Sequence, residues 1–134
     1  MSILTLKDIF VFAMQDHSCE AVVISCIDFR FQKFIHKWLE ENLKDKAYDY
    51  VGFAGSTKDL DIVMHQIDVS VKLHHIKEAY LIHHEDCGAY GKMGTRKRHI
   101  QDLKKAKGKI LSKYPRLQVR TLYVRLNGSF EQIA

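Results

Sequence analysis

The sequence has little of what marks secreted or membrane proteins. It contains three cysteines and one proline, and no apolar run approaches the roughly 18 residues of a membrane-spanning helix. A small, odd number of cysteines argues against a disulfide-stapled secreted domain. Residues 1–8 lack both a basic segment and a small-residue cleavage site, so no signal peptide is predicted. We therefore expect a cytoplasmic protein without a membrane anchor.

The length of 134 residues predicts a single domain over residues 1–134. Its hydrophobic fraction of 46% and charged fraction of 28% are typical of a globular protein rather than a disordered or fibrous one. Thr5 and Asp8 predict the start of a helix near the N-terminus. The apolar face of that helix would carry Leu6, Ile9, Phe10 and Ala13.

Strand and helix patterns alternate along the chain. Short apolar or β-branched runs predict four strands, at residues 20–26, 48–53, 78–83 and 117–126. Apolar residues at helical spacing predict three helices, at residues 31–43, 59–73 and 96–114. This alternation is typical of βαβ units. We therefore predict a three-layer α/β fold, in which helices flank a mostly parallel central sheet of about four strands.

Two thiols and one imidazole follow the first and third predicted strands. Cys26 closes the first strand, whereas His84 and Cys87 follow the third. In a parallel sheet of strand order 2-1-3-4 these two strands are neighbours, and ligands collect at the carboxyl ends of such strands. Two thiolates and one imidazole suit Zn²⁺ and leave one position open. We therefore predict that Cys26, His84 and Cys87 bind zinc, although each alone would be interpreted as an ordinary buried residue.

Other histidines and cysteines are alternatives to this set. His83 competes with His84, since successive side chains of a strand point to opposite faces and only one can enter the cleft. Cys19 begins the first strand, roughly 23 Å from Cys26 at about 3.3 Å per residue, so it cannot share that metal. His74 and His75 could bind a second metal, but exposure to solvent is the preferred interpretation. Solvent exposure is also expected for His17, His36, His65 and His99.

Asp28 and Arg30 complete the predicted site. Two residues apart in an extended segment, they would point the same way and could pair. Asp28 could then accept a hydrogen bond from zinc-bound water, or it could become a fourth ligand and close the site. The alternative is a salt bridge that only stiffens the loop. Gly88 would let its turn adopt a backbone conformation barred to other residues, and Gly55 could do the same across the cleft.

These motifs resemble those of the β-class carbonic anhydrase family. The family's Cys-x-Asp-x-Arg and His-x-x-Cys-Gly motifs correspond to residues 26–30 and 84–88, and residues 52–55 resemble its Asn-Ala-Gly segment. The resemblance extends from about residue 20 to residue 126. It implies a Cys-His-Cys zinc site with His84 as the ligand, an Asp-Arg dyad and an obligate dimer. It also implies a carbonate dehydratase, which hydrates CO₂ reversibly to bicarbonate with zinc-activated water.

The sequence departs from the family pattern in two respects. Phe29 stands where the family usually has Ser, and a Phe that lines the pocket would make it more apolar. The loop after Gly55 is trimmed, and the C-terminal strand and helices of larger members are not expected. Family members that hydrolyse carbonyl sulfide or carbon disulfide share the metal motifs, so these substrates are an alternative. A non-catalytic protein with a structural zinc is another.

Positive charge is concentrated in residues 91–120. This segment holds eleven Lys and Arg against one acid, Asp102, whereas the rest of the chain holds ten basic and fifteen acidic residues. Such a surface could bind nucleic acid or an acidic partner. Aromatic residues are sparse there, however, so a solvated helix is favoured and nucleic-acid binding is not. The charge could equally steer bicarbonate or hold two subunits of a homodimer together.

Overall fold

The structure is a computed structural model that describes residues 3, 5 and 17–133. The strands are β1 (Ala21–Ser25), β2 (Tyr48–Gly52), β3 (Glu78–His84), β4 (Gln118–Val124) and β5 (Phe130–Ile133). The α-helices of the described residues are α1 (Gln32–Asn42), α2 (Leu60–His74) and α3 (Arg96–Lys113). The helix predicted to begin near Thr5, with Leu6, Ile9, Phe10 and Ala13, lies outside the described residues beyond Thr5 itself.

One sheet contains all five strands, in the order β2-β1-β3-β4-β5. Strands β1 to β4 are parallel, and β5 pairs antiparallel with β4. The predicted α/β class and the 2-1-3-4 order of the first four strands are therefore confirmed. The order places β1 directly beside β3, with Ile24 in register with Leu81.

The central strands are buried because helices cover both faces of the sheet. All five residues of β1 and all seven of β3 are buried, as expected for parallel strands between two helical layers. Alternate residues of β1 serve different layers: Val22 and Ile24 pack with residues of α2 and α3, whereas Val23 packs with residues of α1. This alternation confirms the predicted three layers, with helices on both faces of the sheet.

Strand β5 corrects the expectation that the C-terminal strand of larger relatives is absent. The chain leaves β4, turns at Gly128 with φ +87° and returns alongside β4. Ile133 closes this pairing by accepting a hydrogen bond from the Thr121 hydroxyl at 2.7 Å. The Asn127–Gly128 turn connects the two strands as a hairpin. Among the described residues, no helix combines the length and the apolar character needed to cross a bilayer.

Candidate metal centre

The carboxyl ends of β1 and β3 bring the three predicted ligands together. Cys26 follows β1 directly, His84 is the last residue of β3, and Cys87 lies in the turn beyond it. All three side chains are buried, and their ligand atoms lie within 4.8 Å of one another. The two Sγ atoms are 3.9 Å apart, close to the separation of about 3.8 Å that two sulfurs have in a tetrahedral zinc site with Zn–S bonds of about 2.3 Å.

The His84 ring presents one nitrogen to this cluster. Its Nδ1 lies 2.7 Å from the carbonyl oxygen of Glu85. Because a carbonyl only accepts, the proton of the neutral ring is on Nδ1 and the lone pair is on Nε2. Nε2 is buried without a hydrogen-bond partner in the described part of the chain. A buried acceptor without a partner is costly, and a backbone-anchored Nδ1 with a free Nε2 is the usual arrangement of a metal-binding histidine.

His83 points to the opposite face of β3 and does not enter this cluster. Its Nε2 accepts from the Thr57 backbone N–H at 3.3 Å, so its Nδ1 carries the proton. That Nδ1 lies 2.7 Å from Nδ1 of His99 and donates to it. The proton of His99 is therefore on Nε2, which has no hydrogen-bond partner among the described residues. The expectation that His99 is solvent-exposed is wrong: it is completely buried, as the inner face of α3 packs on the sheet.

The side chains of Cys26 and Cys87 are hydrogen-bonded to each other, and this bond moves their pKa values in opposite directions. A hydrogen bond from Cys87 holds the pKa of Cys26 far below that of an ordinary thiol, and the same bond raises the pKa of Cys87. The Gly55 backbone N–H also donates to Cys26 Sγ at 3.4 Å. Cys26 is therefore the thiolate of the pair, stabilised by N–H and S–H donors.

Gly55 and Gly88 differ in their backbone conformations. Gly55 has a φ of +82°, and a Cβ there would lie 3.1 Å from Cβ of Lys58 and 3.3 Å from Cβ of Ala89. Glycine is therefore required for the backbone approach to Cys26. Gly88 does not have a positive φ, so the expectation of a special conformation there is wrong. In that turn it is Asp86 that has the left-handed conformation, with φ +58°.

Asp28 and Arg30 form a multiply hydrogen-bonded pair. Arg30 donates from Nη2 to Asp28 Oδ2 at 2.7 Å and from Nε to Oδ1 at 3.1 Å. The guanidinium lowers the pKa of Asp28 to about 2, so the carboxylate is ionised at neutral pH. Its Oδ2 lies 3.9 Å from Nε2 of His84. The segment is a short 3-10 turn over Phe29–Phe31, with Asp28 at its N-cap, rather than the extended segment predicted.

An open cleft leads to the cysteines. It is lined by Cys26, Ile27, Asp28, Phe29, Arg30, Ala54, Asp86, Gly88 and Ala89. Phe29 lies at the rim, with 85% of its surface exposed. Gly88 lines the cleft, whereas Gly55 does not and contacts Cys26 through its backbone N–H.

The basic segment 91–120 forms ion pairs within the chain. Arg98 pairs with Asp102 at 3.2 Å, and Lys113 pairs with Asp68 at 2.8 Å. Arg96 pairs with Glu131 of β5. These contacts fit the interpretation of α3 as a solvated helix.

Comparisons with known proteins agree with this fold. Residues 16–134 match the model of a protein family described as "Putative carbonic anhydrase". A protein of Rickettsia bellii described as uncharacterized is 28% identical over 136 residues, covering 87% of this chain and 83% of its own length. The carbonic anhydrase of Streptococcus mutans superimposes with a TM-score of 0.66 at 12% identity, covering 99% of this chain and 100% of the other. One of two tetrameric β-carbonic anhydrases of Sordaria macrospora superimposes with a TM-score of 0.53 at 13% identity, covering 94% and 85%.

The family match extends over nearly all of the chain and includes both motifs. The protein therefore belongs to this carbonic anhydrase family. The structural neighbours have the same fold, as the resemblance implied.

Proposed function

We propose that this protein is a zinc-dependent carbonic anhydrase that catalyses the reversible hydration of CO₂ to bicarbonate. The observation that carries this proposal is the convergence of Cys26, His84 and Cys87 beside an ionised Asp28. Two sulfurs at tetrahedral spacing and a buried imidazole nitrogen without a partner among the described residues fit a Zn²⁺ ion. A zinc ion bound there would supply a Lewis acid that activates water near neutral pH.

Asp28 is proposed to accept a hydrogen bond from the attacking water and to hold it in position. As a carboxylate it can only accept hydrogen bonds, and it retains lone pairs beyond those that Arg30 occupies. Its Oδ2 faces Nε2 of His84, which places it beside the three ligands. Because Asp28 Oδ2 lies only 3.9 Å from Nε2 of His84, a small movement of Asp28 would also let it ligate the metal and close the site. Arg30 is the proposed positioning partner, since its fork holds both carboxylate oxygens.

Phe29 and Gly88 are the proposed pocket lining, and Gly55 supports Cys26 through its backbone hydrogen bond to Sγ. An apolar rim suits CO₂, which is small and uncharged. Phe29 and Ile27 are 85% and 61% exposed, an unusual exposure for two large apolar side chains beside a cleft. We propose that a second copy of the chain covers them in a homodimer or higher homo-oligomer. We propose further that the chain forms a single domain, that the protein is cytoplasmic and that it does not bind nucleic acid.

Stopped-flow CO₂ hydration tests this function, with the zinc content determined on the same sample across pH 7 to 9. We expect activity in proportion to bound zinc. Activity that rises only at the alkaline end would indicate that Asp28 closes the site below that range. Full zinc without hydration at any pH would contradict the proposal.

Phe29 favours a second candidate, the hydrolysis of carbonyl sulfide or carbon disulfide. A bulky apolar rim in place of the family's Ser would disfavour the charged bicarbonate ion, whereas it would accommodate uncharged carbonyl sulfide or carbon disulfide. Turnover of carbonyl sulfide by a zinc-loaded protein that does not hydrate CO₂ would establish this alternative. A zinc-loaded protein with neither activity would instead be a structural zinc protein, in which the Asp28–Arg30 pair would only hold the loops of the two motifs together.

A further inference from the structure

A second cluster of metal-binding residue types lies at the opposite end of the sheet. Cys19 precedes β1, Asp49 is the second residue of β2, and His74 is the last residue of α2. One ligand atom from each lies within 4.8 Å of the other two. The cluster is at the amino ends of the strands, roughly 23 Å along β1 from Cys26 at about 3.3 Å per residue. It therefore shares no ligand with the candidate metal centre.

The helix α2 holds Asp49 and His74 in place. Ser70 and His74 are one turn apart on the same face of α2. The Ser70 hydroxyl donates to Asp49 Oδ2 at 2.6 Å, and Nδ1 of His74 lies 2.6 Å from the same oxygen. Ser70 is buried, whereas the side chains of Asp49 and His74 are 30% and 27% exposed. The carboxylate and the imidazole are thus fixed from the protein side and open to solvent on the other.

The backbone brings Cys19 to the same point. Its N–H donates to the carbonyl oxygen of His74 at 3.0 Å, which ties the segment before β1 to the end of α2. His75 then turns the chain away in the left-handed conformation, with φ +54°. The ring of His17, from the same segment as Cys19, lies 4.7 Å from the ring of His74. Two sequence-distant segments therefore meet by backbone contacts, independently of any ion.

We propose that Cys19, Asp49 and His74 form a second metal site, for Zn²⁺ or a similar borderline divalent cation. A thiolate, a carboxylate and an imidazole are each zinc ligands, and together they favour zinc over the hard cations Mg²⁺ and Ca²⁺. Three protein ligands and one further position complete a tetrahedral shell. The ion would join the N-terminal segment, β2 and α2, so its effect is on stability rather than on CO₂ chemistry.

Metal entry would release two protons to solvent, one from the Cys19 thiol and one from the hydrogen bond between His74 and Asp49, and it requires only a small local movement. The Nδ1–Oδ2 contact of 2.6 Å is a hydrogen bond between His74 and Asp49. It would widen to about 3.3 Å, the separation of two ligands with zinc bonds of about 2.0 Å. Ser70 would keep its hydrogen bond to the carboxylate and orient it, as groups around a metal's ligands commonly do. Without metal, the same residues form a hydrogen-bonded cluster that joins α2 to β2, and this is the competing account.

Zinc stoichiometry and affinity on the purified full chain distinguish the two accounts. After the protein has been stripped with a chelator, reloaded with Zn²⁺ and dialysed, we expect two equivalents of Zn²⁺ per chain in the unchanged protein. Cys19→Ser, Asp49→Asn and His74→Gln should each bind one equivalent tightly. We expect the zinc affinity of the second site to fall by about 100-fold or more in each variant, because even residues that only hydrogen-bond to metal ligands contribute 10- to 100-fold to metal affinity. Ser70→Ala should weaken that site by about 10-fold. His65→Gln, at an exposed position on α2, is the matched control and should bind two equivalents.

The Cys87→Ser background separates this inference from the proposed function. That variant should lose the first site and keep one equivalent, and Co²⁺ bound there should show a thiolate charge-transfer band that disappears with Cys19→Ser. Added Zn²⁺ should raise the melting temperature of the Cys87→Ser protein but not of its His74→Gln derivative. One equivalent in the unchanged protein, unaffected by all three ligand substitutions, would overturn the inference. A second equivalent that binds equally well in those variants would overturn it also, as an adventitious ion only.

Discussion

Arg30 of the first motif donates from Nη2 to the main-chain carbonyl of Asp86 in the second motif, at 2.8 Å. A second hydrogen bond runs from Nη1 to the Asp86 carboxylate at 3.0 Å. The two residues are 56 positions apart in the sequence. Asp86 has a positive φ, a conformation that these contacts stabilise. Arg30 therefore orients Asp28 and also fixes the turn that carries Cys87.

Arg30→Lys tests this double role. A lysine retains the charge but not the planar fork that contacts Asp28 and Asp86 together. We expect zinc to be retained and kcat/KM for CO₂ hydration to fall by about 100-fold, the loss associated with a misplacement of about 1 Å at a reacting centre. The measurement is stopped-flow hydration on samples of known zinc content. Lys33→Arg, on the exposed side of α1, is a suitable control and should have unchanged activity. Full activity in Arg30→Lys would show that charge alone suffices.

Asp28→Asn addresses the carboxylate itself. The amide keeps the size of the side chain but lacks a carboxylate's second acceptor oxygen and its charge. We expect full zinc content and a loss of kcat of about 100-fold or more, the loss associated with a misplaced reacting group. Unchanged turnover would eliminate Asp28 from the mechanism. A gain in activity at pH 7 would instead indicate that Asp28 normally ligates the metal and closes the site.

Cys87→Ser tests the ligand set. Serine is a poor zinc ligand, and the pair Cys26 and His84 cannot hold the ion alone. We expect zinc in this first site to be lost and the melting temperature to fall, because metal binding and folding are coupled. Cys19→Ser should leave the first site loaded, which distinguishes loss of this particular thiol from loss of any thiol. Zinc retained at the first site in Cys87→Ser would remove Cys87 from the ligand set.

Much of the fold was predictable because it depends on local patterns. The alternation of buried strands with amphipathic helices is visible in the sequence, and the observed bounds of β1 and α3 differ from the predicted ones by one residue at each changed end. Strand β5 was not predictable in the same way. Only Ile133 of its four residues is buried, so its apolar pattern is weak and its place depends on pairing with β4.

The candidate site was predictable in its residue types but not in its tertiary contacts. The positions of Cys26, His84 and Cys87 after two strands suggested that they converge, and they do so. The contacts of Arg30 with Asp86, and of Asp49 with Ser70, join residues far apart in the sequence. No spacing rule indicates such contacts. His99 was missed although the sequence carries a signal for it: Leu103, Ala106 and Ile110 follow it at helical spacing and form the buried face of α3.

His99 leads to a prediction about acid stability. Burial lowers the pKa of His99 to about 4 and that of His83 to about 3, from an ordinary value of 6.5. Between pH 6.5 and 4 the unfolded chain therefore binds protons that the folded chain does not, and stability decreases as the pH falls. Each such group contributes a slope of about 1.4 kcal/mol per pH unit. The stability contributed by these neutral rings is complete above pH 6.5 and is lost as the pH falls towards 4.

His99→Asn isolates this effect. The amide oxygen can accept the hydrogen bond from His83, but the side chain does not titrate. We expect the free energy of unfolding to depend less steeply on pH between 6.5 and 4 by about one proton, that is about 1.4 kcal/mol per pH unit. Urea unfolding of metal-free protein at several pH values measures this, since zinc release in acid then makes no contribution. His36→Asn, at an exposed position on α1, is the matched control and should leave the slope unchanged. Equal pH slopes of the unfolding free energy in the His99→Asn and unchanged proteins would mean that His99 is protonated in the folded state. Its Nε2 would then have to reach an acceptor other than the aromatic rings of Tyr90 and Tyr123 that now surround it.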